Sequence, residues 1–309
     1  MSWQLRILRV FLRLAVKRSL RRQRDSASAR RWFRRGAWLN ARGRPWRGFT
    51  TDRLCHDDRS MRALWTQLAP PGAPVILYFH GGGYVTGAPE THAALARQLA
   101  RRTGLEVCLP AYRLAPEHPF PAAFDDALAS WRALVARGHA PGTIMLGGDS
   151  AGGGLALALL AHLCTTDAPR PAGLFAFSPF TDLTFSGASI QENASREILL
   201  PRERLERLRE RVLAGQDPAD PRISPLFGDF HGAPPVFLQV AGTEILRDDA
   251  VRIAARLQSQ GGEVQCDQWG NLPHVWQYFH GWLPEARTAL AQTARFIRAQ
   301  YPDRSAVGS

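Results

Sequence analysis

Five short β-type runs, VILYF at 75–79, LEVCL at 105–109, TIMLG at 143–147, GLFAF at 173–177 and VFLQV at 236–240, alternate along the chain with stretches of helical periodicity near 90–102, 121–137, 151–164, 248–260 and 285–299. Runs this short are poor helices, and their near-continuous apolar character marks strands covered on both faces. Strands separated by helices run parallel, because a parallel pair needs a crossover connection. The alternation therefore predicts an α/β architecture with a mostly parallel central sheet and helices on both faces. Ahead of it, Thr51–Cys55 and Met61–Leu68 suggest an antiparallel hairpin. At 309 residues, 45% hydrophobic and 21% charged, the chain has the makeup of one large globular unit with an added cap, which excludes disordered, collagenous and disulfide-scaffold classes.

The formal net charge of +12 is concentrated at one end. Residues 1–47 hold fifteen Arg/Lys against the single acid Asp25, whereas residues 48–309 hold 24 bases and 26 acids. Between Leu5 and Leu20, Arg6, Arg9, Arg13 and Lys17 recur at helical spacing among Leu5, Leu8, Val10, Leu12, Ala15 and Val16, which predicts an amphipathic helix. Basic sequence continues to Arg47 and breaks at Gly43 and Pro45, so 1–47 reads as a basic helical cap region and 48–309 as the main unit. Two roles suit the helix. It rests on an anionic membrane surface through residues 3–20, or it covers the site with its apolar side and turns its arginines to water.

Arginines interrupt the apolar start, no run approaches the roughly 18 residues of a spanning helix, and no small-residue cleavage site follows, so neither a transmembrane helix nor a secretory signal is expected. Cys55, Cys108, Cys164 and Cys266 are scattered without a C-x-x-C pair, which points away from zinc or redox chemistry and toward a reducing cytoplasm, with peripheral membrane contact if the first role of the helix holds. No metal or cofactor is expected. Nucleic acid is not an expected partner, because the bases are mixed with aliphatics and no recognition module is visible. The oligomeric state stays open, a dimer included.

One stretch interrupts the alternation: residues 180–215 show no strand pattern, and REILLPRERLERLRERVL within them reads as a charged helix with Pro201 near its start. It is expected to be an insertion that packs with the N-terminal helices as a cap.

The sharpest local signal is Gly148-Asp149-Ser150-Ala151-Gly152, which follows the strand TIMLG and opens the helix Ala151–Leu163. A serine on such a strand-to-helix turn is held in a tight backbone geometry that small neighbours permit, with its hydroxyl pushed out over the sheet edge. An ordinary glycine-rich turn is the blander alternative, and the strand–turn–helix context outweighs it. Upstream, His80-Gly81-Gly82-Gly83-Tyr84 follows VILYF, where backbone N–H groups can approach a developing alkoxide. A phosphate loop would need a Lys-Ser/Thr ending that is missing here.

Together with Tyr112-Arg113-Leu114-Ala115-Pro116-Glu117-His118-Pro119-Phe120-Pro121-Ala122-Ala123, these motifs resemble the hormone-sensitive-lipase-like branch of the α/β-hydrolases, a group of bacterial carboxylesterases and lactone hydrolases. The resemblance covers about residues 50–300 and implies an α/β-hydrolase fold with a helical cap. It also implies an oxyanion hole from the N–H groups of Gly82, Gly83 and Ala151. In that fold the acid follows the serine and precedes the histidine. The strand VFLQV leads to Glu244-Ile245-Leu246-Arg247-Asp248, where the family places an aspartate first, so here Glu244 would serve, with Asp248 as the second candidate. The base is then His274, in a turn-rich segment beyond the last expected strand. His80 and His118 are expected to brace backbone, and His280 is the other late histidine. Asp149 is assigned to turn geometry.

The implied chemistry is cleavage of carboxylic esters of short to medium acyl chains by a serine hydrolase through an acyl-enzyme, with lactones and acetylated small molecules as alternatives. A non-catalytic binding protein on the same scaffold is a weaker alternative, because serine, acid and histidine are all present. Tyr84, Phe180 and Phe185 are placed to line an acyl or alcohol pocket.

Overall fold

The computed structural model describes residues 2–22, 25–40 and 48–301, with backbone alone for 38–40. The expected junction at Gly43 and Pro45 lies outside the described residues. An eight-stranded sheet with order β1-β2-β4-β3-β5-β6-β7-β8 forms the centre. Its strands are β1 Thr50–His56, β2 Arg59–Trp65, β3 Val75–Phe79, β4 Glu106–Pro110, β5 Ile144–Asp149, β6 Gly173–Phe177, β7 Val236–Ala241 and β8 Val264–Trp269. β1 and β2 form the antiparallel hairpin, with Leu54 opposite Met61, and β2 pairs antiparallel with β4. From β4 through β8 every pairing is parallel. β8 was missed in the sequence: at the sheet edge none of its residues is fully buried, so VQCDQW carries no apolar run.

Period-two alternation divides each central strand between two cores. Val75, Leu77 and Phe79 of β3 face a core built with α5 (Ala122–Ala136), α6 (Ala151–Cys164) and α9 (Arg247–Ser259). Ile76 and Tyr78 face the opposite core, with α4 (Pro89–Thr103) and α10 (Pro284–Ala299). Each of these five helices falls within a residue or two of its expected range.

The N-terminal helix is one run in three parts: α1 Trp3–Phe11, a π-helical turn Leu12–Val16 and α2 Lys17–Arg22, followed by α3 Ser26–Asn40. Residues 180–215 contain no strand, but REILLPRERLERLRERVL is not one helix. After the short α7 (Ser189–Glu192), a 3-10 turn at Arg202–Arg204 leads into α8, Leu205–Leu213. Residues 196–201 stay non-helical, because the Glu197 carboxylate accepts the N–H groups of Leu199 and Leu200 and Pro201 has no N–H to extend a helix.

Arg30 of α3 binds the carbonyls of Val85 and Ala115 and the carboxylate of Glu117, while Lys17 donates to the carbonyl oxygen of Glu197. These bonds tie the N-terminal helices to the sheet unit and to the 180–215 segment. No helix among the described residues is long and apolar enough to cross a membrane.

Candidate active site

Parallel strands deliver their C-terminal ends, and the loops that follow, to one edge of the sheet, where ligands gather in open α/β folds. Ser150 follows β5, Ser178 follows β6, Glu244 follows β7 and His274 lies beyond β8. At Ser150 the backbone takes φ 52° and ψ −124°, a conformation that costs a non-glycine residue energy and that surrounding bonds hold in place. Its N–H donates to the carbonyl of Phe177 (2.8 Å), and its carbonyl accepts from Gly154 and Phe180 (3.0 Å each). The close approaches require glycine: a Cβ on Gly152 would run into the carbonyl oxygen of Phe79, and one on Gly148 into the backbone of Gly152.

Ser150 Oγ lies 2.9 Å from His274 Nε2, and His274 Nδ1 lies 2.6 Å from Glu244 Oε2. The second oxygen of Glu244 accepts from the Ser178 hydroxyl (2.8 Å) and from the N–H of Ala241 (2.7 Å). Ser178 also accepts the N–H of Val275 (3.2 Å), and Asn193 of the 180–215 segment donates to the carbonyls of Gly242 and Glu244. The glutamate is fully buried with its acceptors occupied, which fixes the carboxylate and through it the imidazole. Burial disfavours the charged form of His274, but the Glu244 carboxylate outweighs it, with smaller contributions from Glu197 and Asp149, so the imidazole pKa is raised above its ordinary value.

The second acid candidate, Asp248, stands elsewhere. Its carboxylate accepts from the N–H of Ser189 and the guanidinium of Arg247, at the start of α9. His280 ends the 3-10 turn Trp276–Phe279, and burial lowers its pKa to about 4.

The glycine loop after β3 is anchored from below. The Asp149 carboxylate accepts from the hydroxyl of Tyr78 and from the N–H of Gly81, and its pKa is lowered because His92 and Tyr78 overcome the effect of burial. His80 stacks on Tyr112 at 4.3 Å and donates from Nδ1 to the carbonyl of Gly81, while Tyr112 donates to the His80 carbonyl. Burial lowers the His80 pKa to about 3, so this ring is neutral and structural. The bend is held by Gly82 at φ 125° and Gly83 at φ 63°. Among the described residues, the N–H groups of Gly82, Gly83 and Ala151 donate to no protein acceptor.

A cavity of about 920 Å³ opens over this edge, lined by Gly82, Gly83, Ser150 and His274 on the sheet side and by α1, α3 and α8 above. Phe180 lines it. Tyr84 and Phe185, expected in the pocket, do not. Tyr84 is buried beneath the loop, because its positive φ of 60° belongs to the tight bend and turns the ring into the core. Phe185 stacks parallel to Phe180, with 6.1 Å between ring centroids, under the guanidinium of Arg209. Leu8, Phe11, Leu12, Trp32, Leu200 and Leu208 supply the apolar walls. Sequence reasoning did not single out Ser178, Asn193 or Glu197. The signal for Ser178 was the need of a buried carboxylate that faces a histidine with one oxygen for a donor to its other oxygen.

Residues 76–278 match the alpha/beta hydrolase fold family. An acetyl-hydrolase of Streptomyces hygroscopicus is 42% identical over 236 residues, covering 76% of this chain and 79% of that one. An esterase of Acinetobacter venetianus is 39% identical over 223 residues, covering 72% and 74%. The crystal structure of an esterase from the bacterial hormone-sensitive lipase family superposes with a TM-score of 0.87 at 36% identity, covering 97% of this chain and 99% of that one. The chain belongs to the α/β-hydrolase family and, within it, is a carboxylesterase-type hydrolase of the hormone-sensitive-lipase-like branch.

Proposed function

We propose that Ser150, His274 and Glu244 form the catalytic triad of this hydrolase. The observation that carries the reading is the continuous chain of contacts, 2.9 Å from Ser150 Oγ to His274 Nε2 and 2.6 Å from His274 Nδ1 to Glu244 Oε2. His274 takes the hydroxyl proton as Ser150 attacks the ester carbonyl, and Glu244 holds the tautomer and stabilises the imidazolium. The N–H groups of Gly82, Gly83 and Ala151 receive the oxyanion, each such donor contributing about 2.7–4 kcal/mol in the transition state. The imidazolium protonates the departing alcohol. Water, activated by the same histidine, then splits the acyl-enzyme and releases the acid.

In this reading the N-terminal helices and residues 180–215 act as the cap, and residues 3–20 also contact a membrane surface. The apolar walls suit a substrate with an apolar acyl or alcohol part. The similarity to an acetyl-hydrolase supports acetyl esters of apolar alcohols as one form of it. The four free thiols support a reducing, cytoplasmic setting.

Ser150→Ala should fold with an unchanged circular-dichroism spectrum and lose turnover of a chromogenic short-chain ester; retained turnover removes the triad. In the same assay Glu244→Gln should lower kcat by about 10⁴-fold, as loss of the tautomer-holding acid does, while Asp248→Asn changes it little.

A further inference from the structure

The N-terminal helix is apolar on two opposite sides. Leu5, Leu12 and Val16 are buried, Leu5 against Leu272, Trp276 and Leu283, and the other two against Ile198. On the other side Trp3, Ile7, Val10 and Leu14 follow one another at helical spacing, with Phe11 beside them, and all five are more than half exposed. A helix that only covered the site would need just the first side. Trp3, Ile7 and Phe11, together with the exposed Trp282, also line the cavity that contains Ser150 and His274. Part of the exposed stripe thus forms the rim of the active-site mouth, and Val10 and Leu14 extend it along the helix away from the cavity lining. Exposed arginines flank it, Arg6 and Arg13 along the helix and Arg18 beyond.

We propose that this rim docks on an anionic lipid surface and sets the mouth of the cavity against the bilayer, so that the enzyme draws lipophilic esters from the membrane. Tryptophan and phenylalanine on one side of a helix with arginines alongside is the composition of an in-plane interfacial helix. The charge is complementary: the exposed Arg6, Arg13 and Arg18 beside the stripe suit an anionic headgroup layer, residues 1–47 carry fifteen bases against one acid in sequence, and the remainder of the chain is almost neutral and contributes no strong repulsion. The same charge disfavours a second copy as occupant, because a two-fold contact would set two arginine-rich rims face to face. The proposal rests on the ester-hydrolase reading for what enters the mouth, but docking itself is measured without turnover.

The test is sedimentation of the full-length protein with vesicles of phosphatidylcholine alone or of phosphatidylcholine mixed equally with phosphatidylglycerol. Binding to the anionic vesicles should be at least roughly tenfold tighter and should weaken as salt is raised. Val10→Ser/Leu14→Ser, which alters the stripe but not the cavity lining, and Arg6→Glu/Arg13→Glu should each lose most of this binding while hydrolysing a soluble short-chain ester like the wild type. Ser150→Ala should bind vesicles fully, so a failure of the catalytic reading leaves the docking result intact. Equal partition to both vesicle types, no sedimentation at all, or wild-type-like binding by both double variants overturns the proposal. So does a dimer in analytical ultracentrifugation that Val10→Ser/Leu14→Ser dissociates, which would make a second copy the occupant.

Discussion

Glu197 places a second buried carboxylate close to Glu244 and His274 of the proposed triad. One oxygen accepts from the N–H groups of Leu199 and Leu200, the other from the N–H of Ile245, the residue after Glu244. Burial and the neighbouring Glu244 raise its pKa, while its negative charge is among the causes that raise that of His274. An imidazole must be neutral to act as base, so the acid limb of kcat/KM should lie above the ordinary histidine value of about 6.5, with activity rising as pH rises through it. Replacing Glu197 with Gln removes a charge that favours the imidazolium, and the limb should move to lower pH with kcat at high pH nearly preserved; a limb that stays in place means that Glu197 only holds backbone. The three residues proposed as the triad could be singled out in the sequence, because strand–turn–helix context and chain order restrict the candidates. Ser178 and Glu197 could not, since a serine after a strand or a glutamate in an irregular segment gains meaning only from what it faces. Tyr84 and Phe185 show the reverse: adjacency to a motif does not fix the direction in which a ring points.

Elements buried on both faces were legible, because β3, β5, β6 and β7 need apolar residues at nearly every position. The edge strand β8 was hidden by the weaker demand of its position, and the length of α8 by a side chain that takes up the N–H groups a longer helix would use. The β5–α6 turn is tightly constrained, since Gly148 and Gly152 allow backbones to approach where no Cβ fits. Gly152→Ala should therefore cost about 1–3 kcal/mol of stability and displace Ser150, with a loss of kcat larger than any rise in KM. Thermal unfolding and steady-state kinetics on one preparation check this, and wild-type kinetics would show that the turn tolerates the shift.

Over the whole molecule, packing is unequal. The sheet and its five flanking helices share two extended cores, whereas Leu12 and Val16 join a small cluster with Ile198. Leu146→Ala, in the fully buried β5, should lower global stability by about 2–5 kcal/mol. Leu12→Ala should leave the main unfolding transition near its wild-type midpoint while speeding proteolysis within residues 2–22. Equal loss of the main transition in both variants would mean that the N-terminal helices unfold with the sheet. By itself the sequence determined the winding of the parallel sheet, the serine on its turn and the chain order of its proposed partners, because periodicity, chain order and glycine placement act locally or through connectivity. Only the tertiary structure decided which carboxylate reaches the imidazole, which aromatic rings line the cavity and that the first helix keeps an apolar side exposed, because each depends on distances between segments far apart in the chain.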